Sequence, residues 1–186
     1  MERNLLSGLD DLDVAQQLLA ELHDDIRGRV GRLHMLADLS RELGLCGAMI
    51  PGGTIAYRAW SEARGSFING HFVATVLLCQ GMMEHMLASD LEMGIDPMEM
   101  PPKASAKTIR KRSREVGLIS PDEERELELL ERLRNPLTHH RKVNDPEHID
   151  QQALLEKAHS SDILERNAVF AITLVMRMLA KPSFRL

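Results

Sequence analysis

Apolar residues recur every three or four positions along most of this 186-residue chain, and that spacing limits the fold to packed helices. The clearest stretch covers 66–93, where one stripe of a helix would carry Ile68, Phe72, Val76, Cys79, Met83 and Leu87. A second stretch covers 13–43, although Gly28 and Gly31 interrupt it. Alternation of apolar and polar residues never runs long enough for a strand of ordinary length. The sequence therefore predicts an all-α fold.

Glycine and proline mark the expected ends of these helices. The segment 44–53 is rich in glycine and the connector 94–102 holds three prolines, so both are predicted loops. The helices predicted around them cover 54–94, in two pieces that meet near Gly65, then about 104–117 and 161–180.

A further helix start is signalled at Ser120. Serine suits the N-cap, Pro121 suits the first helical position, and Glu123 completes a capping box. Gly117 suits the end of the preceding helix. The new helix is predicted to bury Leu127, Leu130 and Leu133.

The whole chain, 1–186, is expected to form one all-α domain. Its main part is a helical bundle at 54–181, and 13–43 is an additional N-terminal helical segment. Apolar residues make up 44% of the chain and charged residues 27%, which is typical of globular proteins. A chain of this length can bury a sizeable core.

Histidine and cysteine spacings argue against a metal site. The sequence has no His-x3-His or His-Glu-x2-His pair, and Cys46 and Cys79 form neither a ligand set nor a disulfide framework. His71 and His85 would lie about 21 Å apart along a helix, too far to share an ion. We therefore expect no metal and no cofactor, and we expect Cys79 to be a buried thiol.

Charge and hydropathy bear on location and partners. The N-terminal segment 1–13 is acidic and lacks the apolar core of a signal peptide. The apolar run 167–176 is about half of the ~20 residues that a membrane span requires. We expect a cytoplasmic protein with no membrane association. An aromatic content of 3% disfavours base-stacking platforms for RNA. A net charge of −5 argues against a nucleic-acid-binding surface over the whole protein, although it is compatible with a local basic patch.

The segment LRNPLTHHR, residues 133–141, places cations and imidazoles on both sides of a proline. On an ideal helix, residues five apart diverge by about 140°, so Arg134 and His139 would not converge. Pro136 is expected to break the helix and to re-aim both side chains. Because cations are favoured at the carboxyl end of a helix, the position itself suits the motif.

Six cations precede this segment with no acid among them. They are Lys103, Lys107, Arg110, Lys111, Arg112 and Arg114. Such a run is commonly a solvated helix face. Beside a site that cleaves phosphodiesters, it would instead bind the phosphate backbone of RNA.

The string LERLRNPLTHHR, with IRKRSREVGLISPDEERELELL before it, resembles the HEPN superfamily, whose all-α domains carry an Arg-x4–6-His motif that often begins Arg-Asn. The resemblance is strongest over about 104–142 and compatible over 66–93. It implies a metal-independent endoribonuclease that acts on RNA as a homodimer, with the two motifs facing each other in a cleft. It also implies a role as a toxin, in antiviral defence or in RNA processing, and, for a toxin, an antitoxin or inhibitor protein as partner. Some members of the superfamily have lost cleavage and serve as binding or assembly modules.

The motif residues suit cleavage of RNA by its own 2′-hydroxyl. His139 would act as the base, because an imidazole titrates near neutral pH, and Arg134 would stabilise charge on the phosphorane. Asn135 would orient the phosphate or the histidine. His140 offers the alternative Arg-x5-His spacing, although we favour His139. Substrate-binding roles are predicted for His140, Arg141, Lys107, Arg110, Lys111, Arg112 and Arg114.

A second imidazole, for the leaving group, would come from the other copy of a homodimer. We expect the apolar, Met-rich face of helix 66–93 or of the last helix to form that contact. Two alternatives to cleavage stay open: a HEPN-like module that binds nucleic acid or a nucleotide, and a helical protein with a purely structural interaction role.

Overall fold

The computed structural model describes residues 12–44, 50–93, 97, 100–101 and 103–184. Within these residues the chain forms eight α-helices and no strand. The helices are α1 (Leu12–Asp24), α2 (Ile26–Glu42), α3 (Gly53–Ile68), α4 (Phe72–Met93), α5 (Ala106–Glu115), α6 (Pro121–Thr138), α7 (Ile149–Glu156) and α8 (Ser160–Leu179), followed by a 3₁₀ turn at Pro182–Phe184. The predicted all-α bundle is confirmed, with α7 as a helix that the sequence patterns did not indicate.

The central helix of the bundle is α4. It packs against α3, α5, α6 and α8, and its buried side chains include Val76, Cys79, Met82, Met83 and Leu87. The predicted core stripe is confirmed at Val76, Cys79, Met83 and Leu87, whereas Ile68 belongs to α3. Burial raises the pKa of the Cys79 thiol far above its ordinary range. α4 also has the length and apolar composition of a membrane span, features that the core helix of a globular bundle shares.

The Met-rich faces of α4 and α8 lie inside this core. Met82, Met83 and Met86 of α4 are at most 1% exposed, and Met176 and Met178 of α8 are at most 2% exposed. The prediction that these faces join two copies of the chain is wrong, because the chain's own helices already cover them.

Two helix boundaries lie away from their predicted positions. The helix expected over 13–43 is divided by Asp25 rather than by a glycine. The chain turns between α3 and α4 at Gly70, whose φ of +74° only glycine adopts at little cost, whereas Gly65 lies within α3. Gly117, with a φ of +76°, follows the end of α5 as predicted. The loops predicted at 44–53 and 94–102 fall largely outside the described residues.

The helices α6 and α8 run antiparallel. Glu123 and Glu126, near the start of α6, each pair at 2.6 Å with a cation at the end of α8, Lys181 and Arg177 respectively. The end of α6, which carries the motif, therefore lies beside the start of α8. We call this end of the bundle the motif end.

The first half of α2 is fastened near this same end by Arg32. Its Nε donates to the Ile68 carbonyl at 3.0 Å, and its guanidinium lies 5.5 Å from the centre of the Phe72 ring. Its Nη1 lies 3.9 Å from Glu165, near the start of α8. Leu36 of α2 is also buried in the core, and Met35 and Leu39 pack against it, so α2 is held to the bundle by apolar contacts as well as by Arg32.

Candidate functional site

The helix that carries the motif starts as predicted. Ser120 Oγ accepts a hydrogen bond from the Glu123 N–H at 3.2 Å, and the Glu123 carboxylate accepts one from the Ser120 N–H at 2.7 Å. This capping box satisfies two N–H groups that the helix itself leaves without partners. Leu127 and Leu130 then bury one face of α6 against the core, which fixes the direction in which its carboxyl end points.

The helix continues through Pro136 to Thr138, so the prediction that this proline breaks it is wrong. Pro136 cannot donate a hydrogen bond to the carbonyl of Arg132, four residues earlier, and its ring crowds that carbonyl, so other contacts must hold the last turn. The turn is held by the His139 N–H, which donates to the Asn135 carbonyl at 3.0 Å, and by Thr138 Oγ1, which donates to the same carbonyl at 3.3 Å. Leu137 also packs against the core. These contacts keep Asn135 helical despite the proline that follows it.

The change of direction comes at His139 instead. This residue caps the carboxyl end of α6 with extended backbone angles, φ −121° and ψ 133°. The side chains of His139 and His140 are exposed beyond the helix, so both candidate spacings from Arg134 place an imidazole in solvent. The chain therefore changes direction after the helix ends, and not at the proline.

Arg134 lies half-buried in the last turn of α6. Its Nη1 donates to Oδ1 of Asn135 at 3.3 Å. Within the described part of the chain, no carboxylate pairs with Arg134, and no hydrogen bond joins it to His139. The motif therefore presents a guanidinium braced by an amide, and next to it two exposed imidazoles.

Arg141 has a different environment. Its Nη1 lies 3.4 Å from Asp145 and its Nη2 lies 2.9 Å from Glu147. Two carboxylates thus neutralise a residue that the sequence assigned to substrate binding, and the pairing closes the loop after the motif. Contact with a phosphate would require Arg141 to leave both acids. Because residues 140–148 lie outside any helix, no spacing rule could have predicted this pair from the sequence.

The six-cation run divides between two faces of α5. Lys107, Lys111 and Arg114 are exposed, and Lys103 is exposed just before the helix. Arg110 is only 8% exposed and forms an ion pair with Glu131 of α6. Arg112 is half-buried, with its Nη1 3.3 Å from Sδ of Met100. A phosphate track is therefore available to the exposed members only, and Arg110 cannot belong to it.

Glu131 was missed by the sequence patterns. It stands three residues before Arg134 and four before Asn135, so it occupies the same side of α6 one turn earlier. By pairing with Arg110, it fastens α5 against α6 directly beneath the motif. Gln80 and Glu84 of α4, hydrogen-bonded at 2.8 Å, line a small space beside Arg110 and extend this polar contact towards the core helix.

A second concave region lies at the opposite end of the bundle. A groove of about 290 Å³ is lined by Tyr57, Trp60 and Arg64 of α3, by Ser40 of α2 and by Leu179 near the end of α8, among others. Trp60 and Tyr57 are the only tryptophan and tyrosine in the chain. The Arg64 guanidinium lies 5.7 Å from the centre of the Trp60 ring, a cation–π distance. Sequence reasoning missed this groove, because its residues come from three separate helices.

Within the described residues, no group of three or more His, Cys, Asp or Glu side chains is arranged to hold a metal ion. No family model, no curated protein and no solved structure matches this chain. Any assignment of function therefore rests on the chemistry of the motif end and of the aromatic groove.

Proposed function

We propose that this chain is a metal-independent endoribonuclease, similar to members of the HEPN superfamily, with its site at the motif end. The observation that supports this most directly is the contrast among neighbouring arginines. Arg110 and Arg141 are each committed to carboxylates, whereas Arg134 is half-buried with only an amide as partner. A partly buried guanidinium with no counter-charge is suited to an anionic ligand such as a phosphodiester.

The proposed reaction uses the 2′-hydroxyl of the substrate as nucleophile. His139 removes its proton, the 2′-oxygen bonds to phosphorus, and the bond from phosphorus to the 5′-oxygen breaks. A protonated imidazole gives a proton to that leaving oxygen, so the products are a 2′,3′-cyclic phosphate and a 5′-hydroxyl. Arg134 stabilises the negative charge on the equatorial phosphorane oxygens, and Asn135 holds Arg134 in place.

The acid in this reaction is a second imidazole. The proposal assigns it to the motif of a second copy of the chain, so that the working form is a homodimer with a composite cleft. An isologous contact duplicates every residue near its axis, which supplies both a base and an acid from one sequence.

The direct test is cleavage of single-stranded RNA in excess EDTA, followed by analysis of the product ends. Activity should persist, with 5′-hydroxyl ends. Arg134→Ala and His139→Ala should each lose about 100-fold or more in rate, because each removes a group that acts in the transition state. Arg132→Ala is the matched control, since Arg132 is an exposed arginine on the same helix.

Three outcomes contradict parts of this proposal. Products with 5′-phosphates, or loss of activity in EDTA, exclude the mechanism. Loss of activity in His140→Ala but not in His139→Ala moves the base to the alternative spacing. A fall in melting temperature that parallels the loss of activity in Arg134→Ala assigns that residue a structural role.

The exposed cations of α5 are proposed to bind the RNA backbone. Replacing Lys107, Lys111 and Arg114 by alanine should weaken binding to all sequences and reduce the slope of log affinity against log salt by about 2, since single strands lose about 0.7 per phosphate contact. The control replaces three cations exposed elsewhere, Arg41, Arg58 and Arg125. Equal effects in both triple variants would show that net charge, not this helix, matters.

The aromatic groove favours a second candidate function, the binding of a nucleotide without cleavage. A base would stack on Trp60 or Tyr57, and Arg64 would face the phosphate. Because Trp60 is the chain's only tryptophan, its fluorescence reports on this groove alone. Adenosine monophosphate should quench it more strongly than adenosine or ribose 5-phosphate does. No change at millimolar nucleotide rejects this candidate.

A further inference from the structure

Histidine rings cap the first turns of α7 and α8. His148 Nδ1 accepts a hydrogen bond from the Asp150 N–H at 3.2 Å, and His159 Nδ1 accepts one from the Ser161 N–H at 3.3 Å. Serine, threonine, aspartate and asparagine are the usual residues at an N-cap, because each offers a side-chain oxygen to these N–H groups. In both histidines a ring nitrogen takes the place that Oδ1 of an asparagine would have.

Such a cap exists only while the ring is neutral and carries its hydrogen on Nε2. Nδ1 then has a lone pair with which to accept the backbone N–H. A proton on Nδ1 turns that atom into a donor, which faces another donor, so the hydrogen bond is lost. Imidazole is the side chain that ordinarily gains its proton between about pH 8 and 5. An oxygen cap keeps its lone pairs over the same range, so the choice of histidine makes these two helix starts sensitive to pH.

The surroundings of His148 set the sign of the effect. Asp150 lies 3.8 Å from His148 Nδ1, so a protonated ring gains an attraction to this carboxylate. Asp150 is exposed, and an ion pair on an exposed surface contributes little. Against it stand the lost cap and the positive end of the helix dipole, which disfavours a cation at the start of a helix. We therefore expect protonation of His148 to destabilise the first turn of α7.

His159 is the weaker of the two caps. Ser161 Oγ lies 2.7 Å from His159 Nδ1, so a protonated ring can donate to this hydroxyl instead. The Asp162 carboxylate accepts from the His159 N–H at 3.3 Å, a bond that does not depend on the ring. α8 has 20 residues, many of them buried, so loss of its cap affects only its first turn.

Most other charged groups near the two caps already have partners of opposite charge. Lys157 is the exception, because it is exposed two residues before His159 and further disfavours a cation there. The paired groups are Asp145 and Glu147 with Arg141, Glu147 also with Arg132 of α6, and Glu156 of α7 with Arg166 of α8. Asp150 and Asp162 are therefore the carboxylates that bear most on the two rings.

α7 depends on its cap more than the other helices do. It has only 8 residues, and isolated helices shorter than about 12–15 residues are marginal in water. Ala153 is its one buried residue. Two links join it to α8: Arg166 donates twice to Glu156, and Ser160 Oγ donates to Asp150 at 2.8 Å. One hydrogen bond at the N-cap is thus a large share of what keeps α7 helical.

We propose that α7 is a pH-responsive segment, helical while His148 and His159 are neutral and unwound at its start once they are protonated, between about pH 7.5 and 5.5. The loop 139–148 joins the motif to α7, and α7 leads to the start of α8 at the motif end. The device therefore changes the order of the chain directly after the motif. It goes beyond the proposed function and requires no cleavage chemistry.

The test is the Cα chemical shifts of the full chain by NMR, which report helical content residue by residue, at about pH 7.5 and about pH 5.5. The ratio of helical to unwound chain over 149–152 should fall about 5-fold on acidification, the usual effect of losing an N-cap. The shifts of α4 should stay unchanged and serve as the internal control. Ring-nitrogen shifts at the higher pH should place the hydrogen of both cap histidines on Nε2.

Substitution by asparagine separates the cap from the titration. His148→Asn keeps an acceptor at the N-cap but cannot gain a proton, so α7 should be equally helical at both pH values. His148→Ala should be unwound at both, and His159→Asn should remove only a small part of the response. The matched control is His34→Asn with His85→Asn, two histidines exposed within α2 and α4, and it should respond like the unchanged chain.

Four results overturn the proposal. They are an α7 that is not helical at the higher pH, an α7 whose helical content does not change with pH, a response that survives His148→Asn with His159→Asn, and a neutral His148 with its hydrogen on Nδ1. RNA cleavage is not a readout in any of these experiments, so the proposed function can fail while this inference stands.

Discussion

α4 and α1 are both rich in aliphatic side chains, yet those of α4 are buried and those of α1 are exposed. Val76, Met82 and Leu87 of α4 are at most 1% exposed, whereas Leu18 and Leu19 of α1 are 55% and 65% exposed. The difference lies in neighbours: α4 packs against four helices, whereas α1 makes few contacts with any other helix. An apolar face indicates that a helix needs cover, but it does not identify what provides that cover.

The largest expected difference is in folding stability. Leu87→Ala, in the core, should lower the free energy of unfolding by about 2–5 kcal/mol, since the cavity it leaves is enclosed on all sides. Leu19→Ala should cost less than about 0.5 kcal/mol in dilute solution. Urea unfolding of both variants measures this directly.

Repeating the unfolding of Leu87→Ala and Leu19→Ala at high protein concentration extends this comparison of core and exposed leucines. The cost of Leu19→Ala should then grow if copies of the chain associate through α1, because association stabilises the folded state by RT ln(1 + L/Kd), where L is the concentration of free chain. If Leu19→Ala and Leu87→Ala lower the free energy of unfolding equally at every protein concentration, α1 packs against the bundle in solution more closely than in this structure.

α5 shows a smaller contrast between a buried and an exposed side chain, here two arginines. Arg110→Ala should cost about 2–3 kcal/mol, because it leaves Glu131 partly buried without a counter-charge. Arg114→Ala, on the exposed face of the same helix, should stay within about 0.5 kcal/mol of the unchanged chain. Replacing both partners, Arg110→Met with Glu131→Leu, should recover most of the loss. A double variant as unstable as Arg110→Ala would show that the ion pair is not what fastens α5 to α6.

The smallest expected contrast is in pH dependence. Burial raises the pKa of Glu123, but hydrogen bonds from Lys181 and Ser120 outweigh it and bring the pKa below its ordinary value. A carboxyl whose folded pKa is lowered contributes stability above its unfolded pKa, about 4.3, and loses that contribution as the pH falls through the folded value. Glu123→Gln should therefore flatten the stability profile below about pH 4.3, by a fraction of a kcal/mol after solvent screening.

Glu156 provides the exposed counterpart. Its hydrogen bonds with Arg166, at 2.6 and 2.9 Å, lower its pKa although it lies on an exposed part of the surface. Glu156→Gln should flatten the acid profile of unfolding less than Glu123→Gln does, because solvent and salt screen an exposed pair. An equal flattening in both variants would contradict the role of partial burial at Glu123.

At the candidate site, the sequence located the motif but not its surroundings. Local patterns placed Arg134 and His139 at the end of a capped helix, and the structure agrees. They also suggested that Pro136 ends the helix and that Arg110 and Arg141 are available to a substrate. Those expectations failed because of contacts that local patterns do not show. Leu137 packs on the core beside Pro136, and Glu131 of α6 pairs with Arg110. Asp145 and Glu147 pair with Arg141.

The sequence by itself determined what is local: helical periodicity, the capping box at Ser120, the stop at Gly117 and the apolar stripe of α4. Such features depend on residues within one or two turns of each other, so the chain specifies them wherever it folds. Only the tertiary structure decided which cations of α5 are buried, that the turn after α3 falls at Gly70, and that the faces of α4 and α8 are covered while that of α1–α2 is open. These depend on contacts between residues far apart in the chain, where burial and pairing energies of a few kcal/mol exceed the local preferences they override.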